Sequence, residues 1–441
     1  MGRRFHLIGL GCPKNKVDSE VVWAQLASRG WTAVDDPAEA ELIIVNTCAF
    51  LREAVEESLD AIMQASSYKT VGRCKELVVA GCLPGRYTDG LVDELEEVDL
   101  FVTPEKIGDL AELLETKREK RSRLVGDSAD SFLMDSNTPR ANSLSAGAAY
   151  LKVAEGCSRK CSFCVIPSIR GPQRSRPIDD LITEAENLVR WGANELILVA
   201  QDLASWGSDL PKRPSLDELV DELAGVAGLW WLRLMYLFPT KVPKRLLDVI
   251  ARHETVLPYL DIPLQHVDPA VLKRMKRGGD AQTMLDFIGK IRQMLPGAVL
   301  RTSLMTGFPG ETDESFERMA CFVREAKFER LGVFAFSAEE GTEAAKLDKQ
   351  VPHELALQRQ KQLMQIQVSI AEDYHRSLVG KSLEVLVEGI ADKGEMIGRA
   401  WNQAPEVDGQ TFMTGDAIIG EVVRVRITDA DPYDLQGRII D

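Results

Sequence analysis

Three cysteines, Cys157, Cys161 and Cys164, stand four and three residues apart in one polar loop. Thiolates hold iron–sulfur clusters, and four of them close a cubane. Three leave one iron open, much as an open position marks a catalytic zinc rather than a structural one. Phe163 puts an aromatic ring beside such a cluster. A zinc knuckle short of its fourth ligand is the alternative, but no His or Cys follows at zinc-ligand spacing. Cys12, Cys48 and Cys82 form a second set. Each follows an apolar run that reads as a strand, and open α/β sheets bind ligands outside the carboxyl ends of their strands. Residues far apart in sequence can therefore converge on one edge. Any one of these cysteines alone would ordinarily be a buried structural thiol. Three at equivalent strand ends point to a second three-cysteine metal site. Cys74, before a strand, and Cys321, inside a helical segment, read as structural.

The elements that must position these residues are alternating strands and helices. Strands are expected over Arg4–Leu10, Leu42–Thr47 and Leu77–Ala80, with helices over Val17–Arg29 and Leu51–Ala65 and helical segments following the third strand to about Glu115. Continuous apolar strands between helices predict a doubly wound parallel sheet covered on both faces. From Thr116 to Gly147 a basic run (KREKRSR), read as a solvated helix end, gives way to Ser, Asp and Asn, the composition of a linker. Six further strands are expected at Tyr150–Ala154, Leu196–Ala200, Trp231–Leu234, Tyr259–Ile262, Val299–Thr306 and Leu331–Phe336. Helices beginning near Ile178, Leu216, Lys244, Ala281 and Thr312 separate them, which predicts a partial β/α, TIM-like barrel. Its strand ends carry the cysteine loop, Gln201, Asp202, Tyr236, Gln265, His266, Thr306, Gly307 and Ser337, a polar set suited to a polar cofactor. The turn from Gly307 to Thr312 can also offer backbone N–H groups to an anion. After a helix through Leu378, alternating apolar and polar residues predict a small antiparallel β-barrel. The expected boundaries are 3–117, a linker over 118–142, 143–375 and 377–441.

The chain carries a net charge of −15 and has a sequence pI of about 5.0, which makes it no obvious polyanion binder. The first apolar run is too short for a signal sequence, and His6 stands where a myristoylation motif needs Ser or Thr. No stretch is long and apolar enough to span a bilayer. A cytoplasmic, reducing compartment without membrane attachment is expected.

The CxxxCxxC loop with Phe163 resembles the radical S-adenosylmethionine superfamily. The order of a cysteine-bearing α/β domain, a CxxxCxxC barrel and a terminal β-barrel is similar to the radical methylthiotransferases, with their MTTase N-terminal, radical-SAM and TRAM domains. Gly11-Cys-Pro-Lys-Asn15, Val17-Asp-Ser-Glu20, Asn46-Thr-Cys-Ala-Phe50 and Cys164-Val-Ile-Pro-Ser168 look like its RimO branch. The tRNA-modifying MiaB branch usually has Gln-Met where this chain has Pro13-Lys14. The resemblance implies methylthiolation of an aspartate β-carbon in small-subunit ribosomal protein twelve. It implies two 4Fe–4S clusters, one on Cys157, Cys161 and Cys164 and one on Cys12, Cys48 and Cys82. One S-adenosylmethionine would be the radical source and another the methyl donor. Phe163, Gln201, Asp202, Gln265, His266 and Thr306 become candidate cofactor contacts. The partners implied are that protein or the small ribosomal subunit, and an electron donor such as flavodoxin or ferredoxin. No tRNA partner is expected. A tRNA adenosine methylthiotransferase and an iron–sulfur electron carrier are the alternatives. Arg170, Arg174 and Arg176, just beyond the cysteine loop, are candidate anchors for a substrate or cofactor carboxylate. From Ser377 onward six Lys and Arg face twelve Asp and Glu, so the terminal barrel is expected to dock a basic protein beside the barrel mouth.

Overall fold

The computed structural model describes residues 2–87, 90–116, 122–124, 132–144, 147–239, 242–391 and 394–440. They form two compact units, one of 1–143 with 154–160 and 164–176, the other of 144–153, 161–163 and 177–441.

In the first unit, β1 (Arg4–Gly9), β2 (Thr32–Ala33), β3 (Leu42–Thr47), β4 (Glu76–Gly81), β5 (Leu100–Val102) and β6 (Ser122–Leu124) form a parallel sheet of order β2-β1-β3-β4-β5-β6. Every residue of β3 is buried, because alternate residues face opposite layers. Ile43, Val45, Leu77, Val79 and Phe101 pack with Ile62 and Ala65 of the helix Arg52–Val71. Leu42, Ile44, Val78, Ala80 and Leu100 pack with Val22 and Leu26 of the helix Pro13–Ser28. Each of the Val, Leu, Ile and Phe side chains contributes ~1.5–3 kcal/mol by burial. β5 interrupts the region expected to be helical, and β6 falls in the expected linker. Three apolar residues, or a triplet such as Ser-Arg-Leu, are too few to set a period. The basic-run expectation lies outside the described residues for 117–121.

In the second unit, β7 (Ala148–Lys152) is followed by β10 (Glu195–Val199), β11 (Trp231–Leu234), β12 (Val256–Asp261), β13 (Val299–Thr306) and β14 (Arg330–Ala335), paired in parallel in chain order. The intervening short strands β8 (Ala154–Glu155) and β9 (Arg174–Ser175) pair antiparallel in the first unit. Helices Ile178–Arg190, Leu216–Ala224, Lys244–Arg252, Ala281–Met294 and Asp313–Ala326 return the chain between strands. Sequential parallel order without closure is the expected partial barrel. Caps fix where helices start: Asp280 accepts from Thr283 N, and Thr312 and Ser315 form a reciprocal box.

The tail forms a closed barrel of β15 (Ser382–Ile390), β16 (Met396–Ala400), β17 (Thr411–Thr414), β18 (Val422–Ala430) and β19 (Leu435–Ile439), in the order β15-β16-β17-β19-β18. Its pairs are antiparallel except β17 with β19, which run parallel. This barrel meets the amino ends of the partial-barrel strands. Asn194 Nδ2, just before β10, donates to Gly420 O at 2.7 Å. Glu195, the first residue of β10, is held by Arg233 at 2.6 Å and by Arg399 at 2.7 Å. Tyr150 donates to Glu406 at 2.8 Å and Tyr259 to Asp408 at 2.7 Å. Docking beside the mouth is therefore overturned, since the mouth lies at the opposite, carboxyl ends of these strands. Of the tail's twelve acids, Glu388, Glu406 and Asp408 are internal partners of Arg399, Tyr150 and Tyr259. Among the described residues, no helix is long and apolar enough to cross a membrane.

Candidate functional site

The ends of β1, β3 and β4 are bound together by buried amides and hydroxyls. Asn15 Nδ2 donates to Leu10 O at 2.7 Å, Asn46 O at 3.3 Å and Thr47 O at 3.2 Å. Asn46 Nδ2 donates in turn to Asn15 O and Ser19 Oγ. Thr47 Oγ1 donates to Ala80 O at 2.7 Å and accepts from Leu83 N at 3.1 Å. Ser58 closes on Cys48 from both sides, donating to its carbonyl and accepting from its N–H. Gly11 has φ +85°, and a Cβ there would stand 2.9 Å from Cys48 Sγ, so only glycine lets the two loops approach.

Cys12, Cys48 and Cys82 lie on this framework. Cys12 is the N-cap of the helix Pro13–Ser28. Burial pushes the Cys48 thiol up, and neighbouring Cys12 adds to it. Cys82 is pushed up to about 12 by burial; the Arg170 charge opposes the rise, and Cys48 and Cys12 add to it. The three sulfurs thus sit within electrostatic reach of one another. Among the described residues no three His, Cys, Asp or Glu side chains converge on a point that could hold one metal ion. A cluster spreads its thiolates over several irons and does not require that. The donor set fits such a cluster: buried thiols too weakly acidic to ionise alone are deprotonated outright when a cation coordinates them.

Arg170 ends the short helix Ile166–Arg170 and is buried against this site. Its Nη1 reaches Asp18 at 2.6 Å and Glu155 at 3.3 Å, and its Nη2 reaches Asn15 Oδ1 at 3.0 Å and Cys82 Sγ at 3.4 Å. Burial opposes the guanidinium charge, but Cys82, Glu155 and Asp18 more than offset this. Arg170 is thus engaged by the protein's own carboxylates and is not open to an incoming one, which corrects its expected anchoring role. Arg176 is buried as well. Arg174, on β9 opposite Glu155, is half-buried, with Nε and Nη2 lacking a hydrogen-bond partner among the described residues.

The second cysteine loop is fastened at both ends. In the first unit, Cys157 N donates to Gly171 O at 3.0 Å, and Ser158 Oγ accepts from Gln173 N at 3.1 Å. Arg159 N points at Cys157 Sγ from 3.5 Å. In the second unit, Ser162 donates to Met275 O and, through Oγ, to Arg274 O. Phe163 meets Phe308 edge-on at 6.3 Å, with Arg277 over its ring at 5.7 Å. Cys157 is buried, while Cys161 and Cys164 are partly exposed.

The other strand-end residues divide into two groups. His266 Nδ1 accepts from Asp268 N at 2.9 Å, which leaves Nε2 to face Glu311 at 3.1 Å. Glu311 also accepts from Gly307 N at 2.9 Å and Arg359 at 2.6 Å. The Gly307 N–H expected to meet an anionic ligand is therefore taken by Glu311. Thr306 Oγ1 donates to Ala356 O at 2.9 Å. His266 and Thr306 are fully buried and brace the mouth. Gln201 and Asp202 follow β10, Asp202 accepting from Ser205 at 2.6 Å. Tyr236 and Gln265, just past β11 and β12, have φ of +65° and +71°. Such strain costs ~1–3 kcal/mol and clusters at binding sites. Reasoning from sequence missed Asn15, Asp18, Glu155 and Arg359; only the polar residues around Cys12 hinted at the first two.

Three family models cover most of the chain: the uncharacterized protein family UPF0004 over residues 4–103, the Radical SAM superfamily over 151–323 and the TRAM domain over 379–440. A ribosomal protein uS12 methylthiotransferase RimO of Anaeromyxobacter sp. (strain K) is 47% identical, covering 100% of this chain and 94% of its own. One from Geobacter sulfurreducens is 45% identical over 99% of this chain and 98% of its own. The chain belongs to the RimO family. Solved structures show the same fold at low identity. The radical S-adenosylmethionine methyltransferase TsrM from Kitasatospora setae matches with TM-score 0.54 and 14% identity, over 75% of this chain and 72% of its own. The radical enzyme OxsB matches with TM-score 0.52 and 10% identity, over 82% of this chain and 56% of its own. Radical-SAM membership implies a 4Fe–4S cluster and S-adenosylmethionine, and the Cys157 loop supplies the thiolates such a cluster needs. RimO relatives along the whole chain do not favour the tRNA-modifying or carrier alternatives.

Proposed function

We propose that this chain is a radical S-adenosylmethionine methylthiotransferase that modifies the β-carbon of an aspartate in ribosomal protein uS12. What carries this is a pair of separate three-cysteine sets in a chain similar to RimO along its full length. The target C–H lies beside a carboxylate, so removing a proton would place negative charge next to negative charge. Hydrogen-atom abstraction avoids that. When bound, a cluster on Cys157, Cys161 and Cys164 with S-adenosylmethionine supplies the abstraction, a second on Cys12, Cys48 and Cys82 the sulfur, and another S-adenosylmethionine the methyl group.

The chain's own residues hold the reactants. Arg174, whose Nε and Nη2 are buried without a hydrogen-bond partner among the described residues, is the proposed anchor for the target carboxylate, and its planar fork suits that task better than a lysine. Gln201, Asp202 and Gln265, at strand carboxyl ends, are the proposed polar contacts to S-adenosylmethionine, with Phe163 flanking the cluster. His266 and Thr306 act by bracing the turns beneath them. A net charge of −15 favours encounter with a basic ribosomal protein. Flavodoxin or ferredoxin is the proposed reductant and the cytoplasm the proposed compartment. The test is mass spectrometry of uS12 incubated anaerobically with the reconstituted, reduced protein and S-adenosylmethionine. A methylthio group on one aspartate is expected, and deoxyadenosine formed without uS12 modification would overturn the assignment of substrate.

A further inference from the structure

The Arg170 guanidinium is buried, with Nη2 directed at the Cys82 sulfur from 3.4 Å, and it is not a free surface charge that happens to fall there. Asp18 and Glu155 hold Nη1, while Asn15 Oδ1 steers Nη2, the same nitrogen that points at Cys82 Sγ. Asn15 is itself immobilised by carbonyls at the ends of β1 and β3. The donor is therefore fixed before anything binds to Cys82. Arg170 also lies six residues beyond Cys164, so the segment that closes one cysteine loop delivers a cation to the other set.

We propose that Arg170 is a positioning residue that sets the reduction equilibrium of a cluster held by Cys12, Cys48 and Cys82, through its hydrogen bond to the Cys82 sulfur. This rests on reading those cysteines as cluster ligands. Hydrogen bonds to ligand sulfurs and nearby charge are principal determinants of cluster potential. The step governed is addition of one electron from an external low-potential reductant, with no bond made or broken. A cation and an N–H aimed at the sulfur favour the more negative, reduced cluster. Asp18 opposes this, because its carboxylate partly neutralises the same guanidinium. The two residues are therefore expected to act with opposite signs, which a merely structural role does not predict.

The experiment uses the full chain with Cys157, Cys161 and Cys164 replaced by Ala, so that iron remains only at the other set. The protein is reconstituted anaerobically, assayed for iron and titrated with dithionite while the reduced cluster is followed by electron paramagnetic resonance. Arg170→Gln is expected to shift the equilibrium about tenfold toward the oxidised cluster, about 59 mV for a one-electron couple. Asp18→Asn is expected to shift it the opposite way. Equal potentials in parent and both variants, at full iron content, would overturn the proposal. Should Arg170→Gln fail to fold, Asp18→Asn decides alone, and no upward shift refutes it. A parent without iron would instead overturn the ligand assignment of Cys12, Cys48 and Cys82, and the role of Arg170 with it.

Discussion

Arg399→Met tests how the terminal barrel is joined to the partial barrel. Arg399 is buried and bonds Glu195 at 2.7 Å, Glu388 at 2.8 Å and the Gln403 carbonyl at 3.1 Å. Glu195 is fully buried, and although burial opposes its charge, Arg233 and then Arg399 hold its carboxyl below the usual range. Removing Arg399 leaves Glu195 paired with Arg233 and takes one cationic partner from Glu388. Breaking one side of a buried ion pair typically costs ~3–5 kcal/mol, because a charge is left uncompensated. The retained Glu195–Arg233 contact at 2.6 Å puts the expectation at the lower end of that range. The double variant Glu195→Leu with Arg399→Met removes one charge of each sign. Arg233 loses its carboxylate but stays stacked over Tyr259 at 4.8 Å. The double variant should therefore cost less than the sum of the single changes. The assay is urea unfolding of the full chain, followed by near-ultraviolet signals from both barrels. A single-variant loss below ~1 kcal/mol would refute the view that this triad joins the barrels.

The remaining predictions concern the site and the pH response. Reconstituted protein should hold about eight irons if both sites carry four-iron clusters. Changing Cys12, Cys48 and Cys82 to Ala should remove about half while deoxyadenosine formation persists, whereas changing Cys157, Cys161 and Cys164 should abolish it. Arg174→Lys should raise the Michaelis constant for uS12 or S-adenosylmethionine about tenfold or more, given ~1.5–3 kcal/mol for a charged hydrogen bond; an unchanged constant removes Arg174 from the site. His375 is fully buried, and burial, then the Arg330 charge, pushes its imidazole down to about 4. The unfolded chain, titrating near the ordinary value of 6.5, therefore binds more protons between those limits. Stability is fully present above pH ~6.5 and falls by about 3 kcal/mol as pH drops toward 4. His375→Leu should flatten that slope in urea titrations across the window, and an unaltered slope would refute the assignment.

The fold was legible where apolar runs were long. β3 and β13 were bounded correctly from sequence because six and eight consecutive residues carry a strand signal. β6 was not, because its three residues gain their strand conformation from pairing with β5, a tertiary effect that no local period records. The parallel β17–β19 pair was hidden for a similar reason. Alternation reveals that a segment is a strand but not which neighbour it runs beside.

The candidate site was legible to the extent that its chemistry needs a distinctive residue. Cysteine at strand ends is such a residue, so both sets could be named before their surroundings were known. Arginine is ambiguous, because the same guanidinium serves a substrate carboxylate or a buried protein one. Only the positions of Asp18 and Glu155 decide that Arg170 belongs to the second kind. His266 is ambiguous in the same way. A strand-end histidine suits a ligand contact until Asp268 N and Glu311 are found on its two nitrogens. In each case the deciding partner is remote in sequence: Asp18 is 152 residues from Arg170 and Glu311 is 45 from His266. The residues holding reactive groups in place are thus less legible than the reactive groups themselves, because their roles are set by geometry and their types are common to any buried polar network.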